Sequence, residues 1–291
     1  MRIVSISALN IVMPMPHSSE RYVQLFQKAY KKKLPINIRG EFVGVLGSCR
    51  LEEADGRKIV VGELYKYFEL KMDSQWYNTL ENKAADDDEL SKIIIPGHLK
   101  PHFEVSPFVF FPHKHRIFFI SREVDGTLTP NQAHKLFDTL FNSQSLVGEF
   151  GSIGITIEPS IDSLSQILGI SKMKMLHIEV TPPNPDDQDL MEQRLYEKMR
   201  LRGADKQIIE LHSDQHSGLQ LDEDLKSLAK IAQSNGSVSG RGEDEVGRST
   251  SLSTLSHPLQ EKTIYDPKIQ RRLPMLIGKA LELLPKIAVR D

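Results

Sequence analysis

Two strand-like runs flank Ala54-Asp55-Gly56-Arg57 in the stretch EFVGVLGSCRLEEADGRKIVVGELYKYFELK. Asp-Gly tolerates positive φ at both central positions, which a two-residue turn between right-twisted strands requires. A second hairpin follows in SPFVFFPHKHRIFFISRE, where two aromatic strands are joined through Pro112 to Arg116. The opening MRIVSISALNIVM alternates at period two and is a further strand. Hairpins commit a chain to antiparallel pairing, so the first half must bury an antiparallel sheet against something.

Helices supply the cover. Ser18 and Ser19 are candidate caps, and behind them Tyr22, Leu25, Phe26, Ala29 and Tyr30 share one helical face that ends at Lys31, Lys32 and Lys33. Thr129 caps a second helix with Pro130 in its first turn and Ala133, Leu136, Phe137, Leu140 and Phe141 inward. ENKAADDDELSK between the hairpins is polar, an exposed loop or helix start.

In the second half, Ile153, Ile155 and Ile157 alternate as a strand. A short helix then carries Ile161, Leu164, Ile167 and Leu168 on one face and stops at Gly169, before a strand through Leu176, Ile178 and Val180. This order predicts a β-α-β unit, right-handed if its strands are parallel. Pro182, Pro183 and Pro185 end the ladder, and Asp186 or Asp187 caps a helix through Leu190, Leu195 and Met199. A helix from Asp222 to Ala232 follows, and a C-terminal one from Met275 to Leu284. Periodicity leaves residues 234–257 open between a linker and a polar hairpin. No repeat at solenoid spacing occurs. The expectation is an α+β protein of two domains: residues 1–145, an antiparallel sheet plus helices, and residues 146–291, a β-α-β-containing domain with the C-terminal helix.

Composition narrows the function classes. With 291 residues and 39% apolar content the chain can bury a substantial core. The single cysteine, Cys49, excludes an internal disulfide framework and fits a reducing cytoplasm. No apolar run is long enough to cross a membrane, and the alternating start is unlike a signal peptide, so a cytoplasmic protein without membrane insertion is expected. A net charge of -2, from 37 basic and 39 acidic residues, argues against a highly basic nucleic-acid binder while leaving room for local positive patches.

Catalytic signals are thin. The aspartates of PPNPDDQD suit the first turn of a helix better than a metal. The histidines form loose pairs, His98 with His102, His113 with His115 and His212 with His216; an i, i+4 spacing can put two ligands on one helical face, but the last pair has no third ligand nearby. Asp55 with Glu69 and Lys71 resembles the carboxylates and lysine of a metal-dependent nuclease, so a metal-dependent nuclease or toxin effector of a defence system is the alternative reading, although turn and strand end are poor places to share an ion. Cys49 packs as a small hydrophobe. Walker, dinucleotide-binding and serine-elbow motifs are absent. No catalytic residue, metal site or cofactor is therefore assigned.

What remains is basic. Lys31, Lys32 and Lys33 stand with Arg39; Arg194, Lys198, Arg200, Arg202 and Lys206 follow one another; Arg241 stands with Arg248; Lys268, Arg271 and Arg272 precede the last helix. Each is ordinarily a solvated face, but clusters that converge would track a phosphate backbone. Too few aromatics lie among them for single-strand stacking.

SPFVFFPHKHRIFFISREVDGTLTPNQAHKLFDTLF and ITIEPSIDSLSQILGISKMKMLHIEVTPPNPDD, about a quarter of the chain, resemble the RexA family of phage-exclusion DNA-binding proteins. A family of uncharacterised bacterial proteins shares the second segment. RexA is similar in fold to the recombination-associated protein RdgC, and both are understood as dimers that bind duplex DNA with little sequence preference. The resemblance implies a non-enzymatic, homodimeric duplex-DNA binder in phage exclusion or defence, with room for a partner defence protein. The DNA-contact residues of that family do not carry over, because the terminal segments and the basic distribution differ.

Overall fold

The computed structural model describes residues 1–71, 73–124, 126–184, 190–214 and 216–288. In chain order the elements are β1 (Arg2–Val12), α1 (Ser19–Lys32), β2 (Ile36–Arg39), β3 (Phe42–Ala54), β4 (Arg57–Phe68), β5 (Tyr77–Asn78), β6 (Lys83–Ala84), α2 (Asp87–Leu90), β7 (Glu104–Phe111), β8 (Arg116–Glu123), β9 (Gly126–Thr127), α3 (Pro130–Phe141), α4 (Gln144–Phe150), β10 (Gly154–Ile157), α5 (Ser163–Leu168), β11 (Lys172–Val180), α6 (Leu190–Arg202), β12 (Gln207–His212), α7 (Glu223–Asn235), β13 (Gly236–Glu243), β14 (Ser249–Ser253), β15 (Glu261–Tyr265) and α8 (Arg272–Ala288). The fold is mixed α+β, and every ladder among the described residues is antiparallel.

Both hairpins form as their sequences require. Asp55 and Gly56 turn β3 into β4 at φ 51° and 67°. The aromatic strands β7 and β8 pair from Phe108↔Phe119 to Phe111↔Arg116. Together they build a sheet in the order β10-β1-β8-β7-β4-β3-β2, with β9 beside β8 and β15 beside β1. Unbroken apolar runs such as PFVFF indicate strands covered on both faces. Phe108, Phe110, Ile117 and Phe119 point to a core with Tyr22 and Phe26 of α1 and Leu136, Phe137 and Phe141 of α3. Val109, Phe111, Phe118 and Ile120 point the other way, onto Met275, Leu276, Ala280 and Leu283 of α8. Ser18 caps α1, and Thr129 with Gln132 forms a capping box on α3.

Strand β1 carries the seam of the molecule. Along one flank it pairs with β8; along the other, Arg2 to Ile6 pair with β15 and Leu9 to Val12 with β10. Residues more than a hundred positions apart in sequence thus lie end to end on one strand. The chain between them makes an excursion into a second sheet, order β12-β11-β13-β14, covered on one face by α5, α6 and α7. A bridge between Pro159 and Pro258 closes the neck.

Two expectations change here. The strand–helix–strand order β10, α5, β11 is present, yet β10 lies in the first sheet and β11 in the second, so no β-α-β unit forms. Only four residues long, β10 is taken up by the open flank of β1. The sheets also do not part at residue 145. β10, β15 and α8 all complete the first sheet, because without α8 its second face would be bare. Within residues 234–257, left open by periodicity, Gly236 to Ser253 form the hairpin β13–β14, and Ser234 and Asn235 still belong to α7. The expected Asp186 and Asp187 cap lies outside the described residues.

Candidate functional site

The seam holds a buried polar cluster. Arg116, from β8, forms an ion pair with Glu158, Nε to Oε1 at 2.5 Å, with the side chains 3% and 2% exposed. Arg116 also donates to the Asn10 side-chain oxygen, while Asn10 donates to the Ser234 carbonyl at 2.8 Å and to Asn235 Oδ1 at 3.1 Å. Glu158 is fixed by its backbone, which donates to Ala8 O at 3.0 Å and accepts from Leu259 N at 2.8 Å. One network therefore ties the first sheet to the end of α7. Nearby, Tyr22 donates to Asn184 Oδ1 at 2.9 Å, and Asn184 donates to Ile11 O at 2.8 Å. The rings of His17 and His115 lie 5.0 Å apart. A cleft of about 410 Å³ opens beside the cluster, with Glu158, Glu192 and Ser234 in its lining and Lys230 and Lys286 also contributing. Buried charges persist only when paired and hydrogen-bonded, and here they act as a strut. Sequence reasoning missed them; the one available signal was an arginine opening the otherwise apolar run RIFFI.

Among the described residues, α5, α6 and α7 cover one face of the second sheet and no helix packs on the other. From Ser237 to Glu243 the strand GSVSGRGE alternates: Val238, Gly240 and Gly242 are buried and Arg241 is exposed. The glycines are needed because α5 and its neighbours approach closely. A Cβ on Gly240 would lie 3.0 Å from Ile167, and one on Gly242 2.1 Å from the carbonyl oxygen of Lys172. On the open face His177 and His212 both contact Glu210, at 3.0 Å and 2.7 Å. These hydrogen bonds, from His212 first and then His177, hold the Glu210 carboxyl below its ordinary range. Glu243 is held low likewise by Lys174, at 2.6 Å, and Lys172. Among the described residues, no group of three or more His, Cys, Asp or Glu side chains could hold a metal ion.

The basic residues do not converge on one groove. Lys31, Lys32 and Lys33 end α1, where cations favour the helix dipole, and Arg39 follows on the edge strand β2; all four are exposed and make no ion pair among the described residues. Six inter-strand steps separate β2 from β10, about 29 Å at ~4.8 Å per step. Arg194, Lys198 and Arg202 form an i, i+4, i+8 row on α6, with Arg200 exposed beside them. Lys206 is held by Glu179 at 2.9 Å. Arg241 projects from the open face of the second sheet, and Arg248 sits in the turn beyond it. Lys268 and Arg271 are exposed ahead of α8, but Arg272 is occupied, donating to Val105 O at 3.1 Å and pairing with Glu123 at 3.3 Å.

The nuclease residues are not brought together. Asp55 sits in the turn before β4 and Glu69 just past its far end, a separation of roughly 40 Å along the strand. Glu69 pairs with Lys100 and Lys71 with Glu41. His212 ends a strand rather than lying on a helix, so its spacing to His216 creates no shared helical face. Cys49 is half-buried against the first core, and burial pushes its thiol up to about 11. No helix among the described residues is long and apolar enough to cross a membrane.

The chain belongs to the family described as Domain of unknown function (DUF4747), whose model matches residues 2–281. No curated protein matches it.

Proposed function

We propose that this DUF4747 protein is a non-enzymatic, homodimeric, cytoplasmic protein that binds duplex DNA with little sequence preference, in the setting of phage exclusion or defence. The carrying observation is the patch Lys31, Lys32, Lys33 and Arg39: four exposed cations within nine residues, none neutralised by a carboxylate among the described residues. Other lysines are held by carboxylates, such as Lys66 by Glu104 and Lys206 by Glu179. An unneutralised patch on a chain of net charge -2 presents a local field to a phosphate backbone that the overall balance hides. The likeness to RexA-type proteins supports the same reading and adds the defence setting, including a partner defence protein.

Binding through four phosphates gives a log–log salt slope of about -3.6, so affinity falls roughly 150-fold between 50 and 200 mM salt. Titrations of unrelated duplexes should give equal affinities. Replacing Lys31, Lys32 and Lys33 with alanine should flatten the slope by about 2.7, whereas Arg272→Ala should leave it unchanged. No binding at low salt, or an unaltered slope in the triple variant, overturns the assignment.

A further inference from the structure

Among the described residues, the second sheet ends in an edge with little of the usual protection. Among the described residues β12 has one strand partner, β11. Its sequence QIIELH contains no lysine, arginine or proline, its one carboxylate, Glu210, is engaged by His177 and His212, and Ile208 is 54% exposed. Edge strands that stay unpaired are ordinarily blunted by charge, proline, bulges or shortness. The edge of the first sheet shows such devices: β2 has four residues, a register shift between Asn37 and Arg39, and the cation Arg39 itself. β14, the opposite edge of the second sheet, is the serine-rich STSLS.

Beside β12 runs a groove of about 560 Å³ between α6 and α7, floored by Ile209, Leu211, Leu225 and Leu228. Arg194 and Lys198 contribute cations to its lining, and Asp222 and Asp224 contribute carboxylates. Those aspartates would repel a phosphate backbone. A surface bearing both signs is instead complementary to itself under a two-fold axis, where residue i meets j and j meets i.

We propose that β12 is the dimer seam: a second copy of this chain lays its own β12 antiparallel along this edge. The two four-stranded sheets then continue as one of eight strands, and the charged groove walls of each copy meet their opposites. The inference rests on the homodimer proposed above and names its surface. An antiparallel pairing of a strand with itself is the arrangement a two-fold axis generates, and a paired edge buries Ile208 and satisfies the outward backbone groups.

Light scattering on the full chain tests it. The wild type should run at twice 33.0 kDa. Ile208→Lys, an exposed site where a charge faces only solvent in one copy, should run as a folded monomer whose melting temperature no longer rises with protein concentration. A charge swap gives an independent reading: Lys198→Glu and Asp224→Lys should each raise the dimer dissociation constant at least roughly tenfold, about 1.4 kcal/mol, and the double variant should recover it. A dimeric wild type whose Ile208→Lys and swap variants remain equally dimeric overturns the seam and leaves the homodimer standing. A wild type that stays monomeric at micromolar concentration overturns both. DNA binding is read separately, through the salt slope of the Lys31–33 variant.

Discussion

Arg116 Nε lies 2.5 Å from Glu158 Oε1 where the first sheet hands the chain over to the second, with both side chains nearly sealed from solvent. The pair stands at the gap between the two strands that share the flank of β1. Losing either partner leaves an uncompensated charge in an interior that cannot solvate it.

Arg116→Met or Glu158→Gln should therefore cost about 3–5 kcal/mol of stability. Replacing both with apolar residues should cost much less than the sum, because no lone charge remains. Urea denaturation of the two single variants and the double one measures this, and single-variant losses below 1 kcal/mol would contradict a structural role.

Helix α8 is as much core as any strand. Leu276→Ala, at a fully buried site facing Ile6 and Phe118 in the same cluster, should lose about 2–5 kcal/mol. Glu282→Ala on the same helix, exposed and paired with Lys279 at 3.0 Å, should lose less than about 1 kcal/mol. Equal losses would mean that α8 is not packed as described.

Gly242→Ala introduces a Cβ 2.1 Å from the Lys172 carbonyl oxygen, and backbone cannot swing aside as a side chain can. The expected cost is about 1–3 kcal/mol. Hydrogen exchange should locate the loss in β11 and β13; an unchanged melting curve would refute the close approach.

The Cys49 thiol, raised to about 11, is overwhelmingly protonated at pH 8. Alkylation by iodoacetamide there should run roughly 200-fold slower than for an ordinary thiol with pKa near 8.5, and should accelerate on unfolding. Rapid modification of the native protein would refute the burial.

Glu210 is lowered by its two histidine contacts. A folded pKa below the unfolded value, about 4.3, places its contribution to stability above that pH; it is lost as pH falls through the folded value. The carboxyl carbon shift in NMR should titrate with a midpoint below about 4.3, and a midpoint at or above it would remove the His177 and His212 contacts.

Local patterns were legible wherever they follow from a few neighbouring residues. Asp55-Gly56 set the turn of β3 into β4, Ser18 and Thr129 cap the helices that follow them, and the apolar faces of α1 and α3 lie where their periodicity put them. The basic residues were equally visible, since charge is read directly from side-chain type. Partnership was not. Arg272 and Lys206 read the same as Arg271 and Lys31 in sequence, yet the first two are held by Glu123 and Glu179.

The strand–helix–strand order of β10, α5 and β11 has one local pattern whether its strands share a sheet or not. Only the open flank of β1, itself created by pairing with β8, decides that β10 and β15 fill it end to end. The same long-range choice buries Glu158 against Arg116 and sends residues between Pro159 and Pro258 into a sheet of their own. Residue type and spacing act over a turn of helix or a hairpin, and these the sequence determined by itself. Which edge a strand joins, and which charge finds a partner, depend on surfaces that exist only once distant segments have packed, and these the tertiary structure decided.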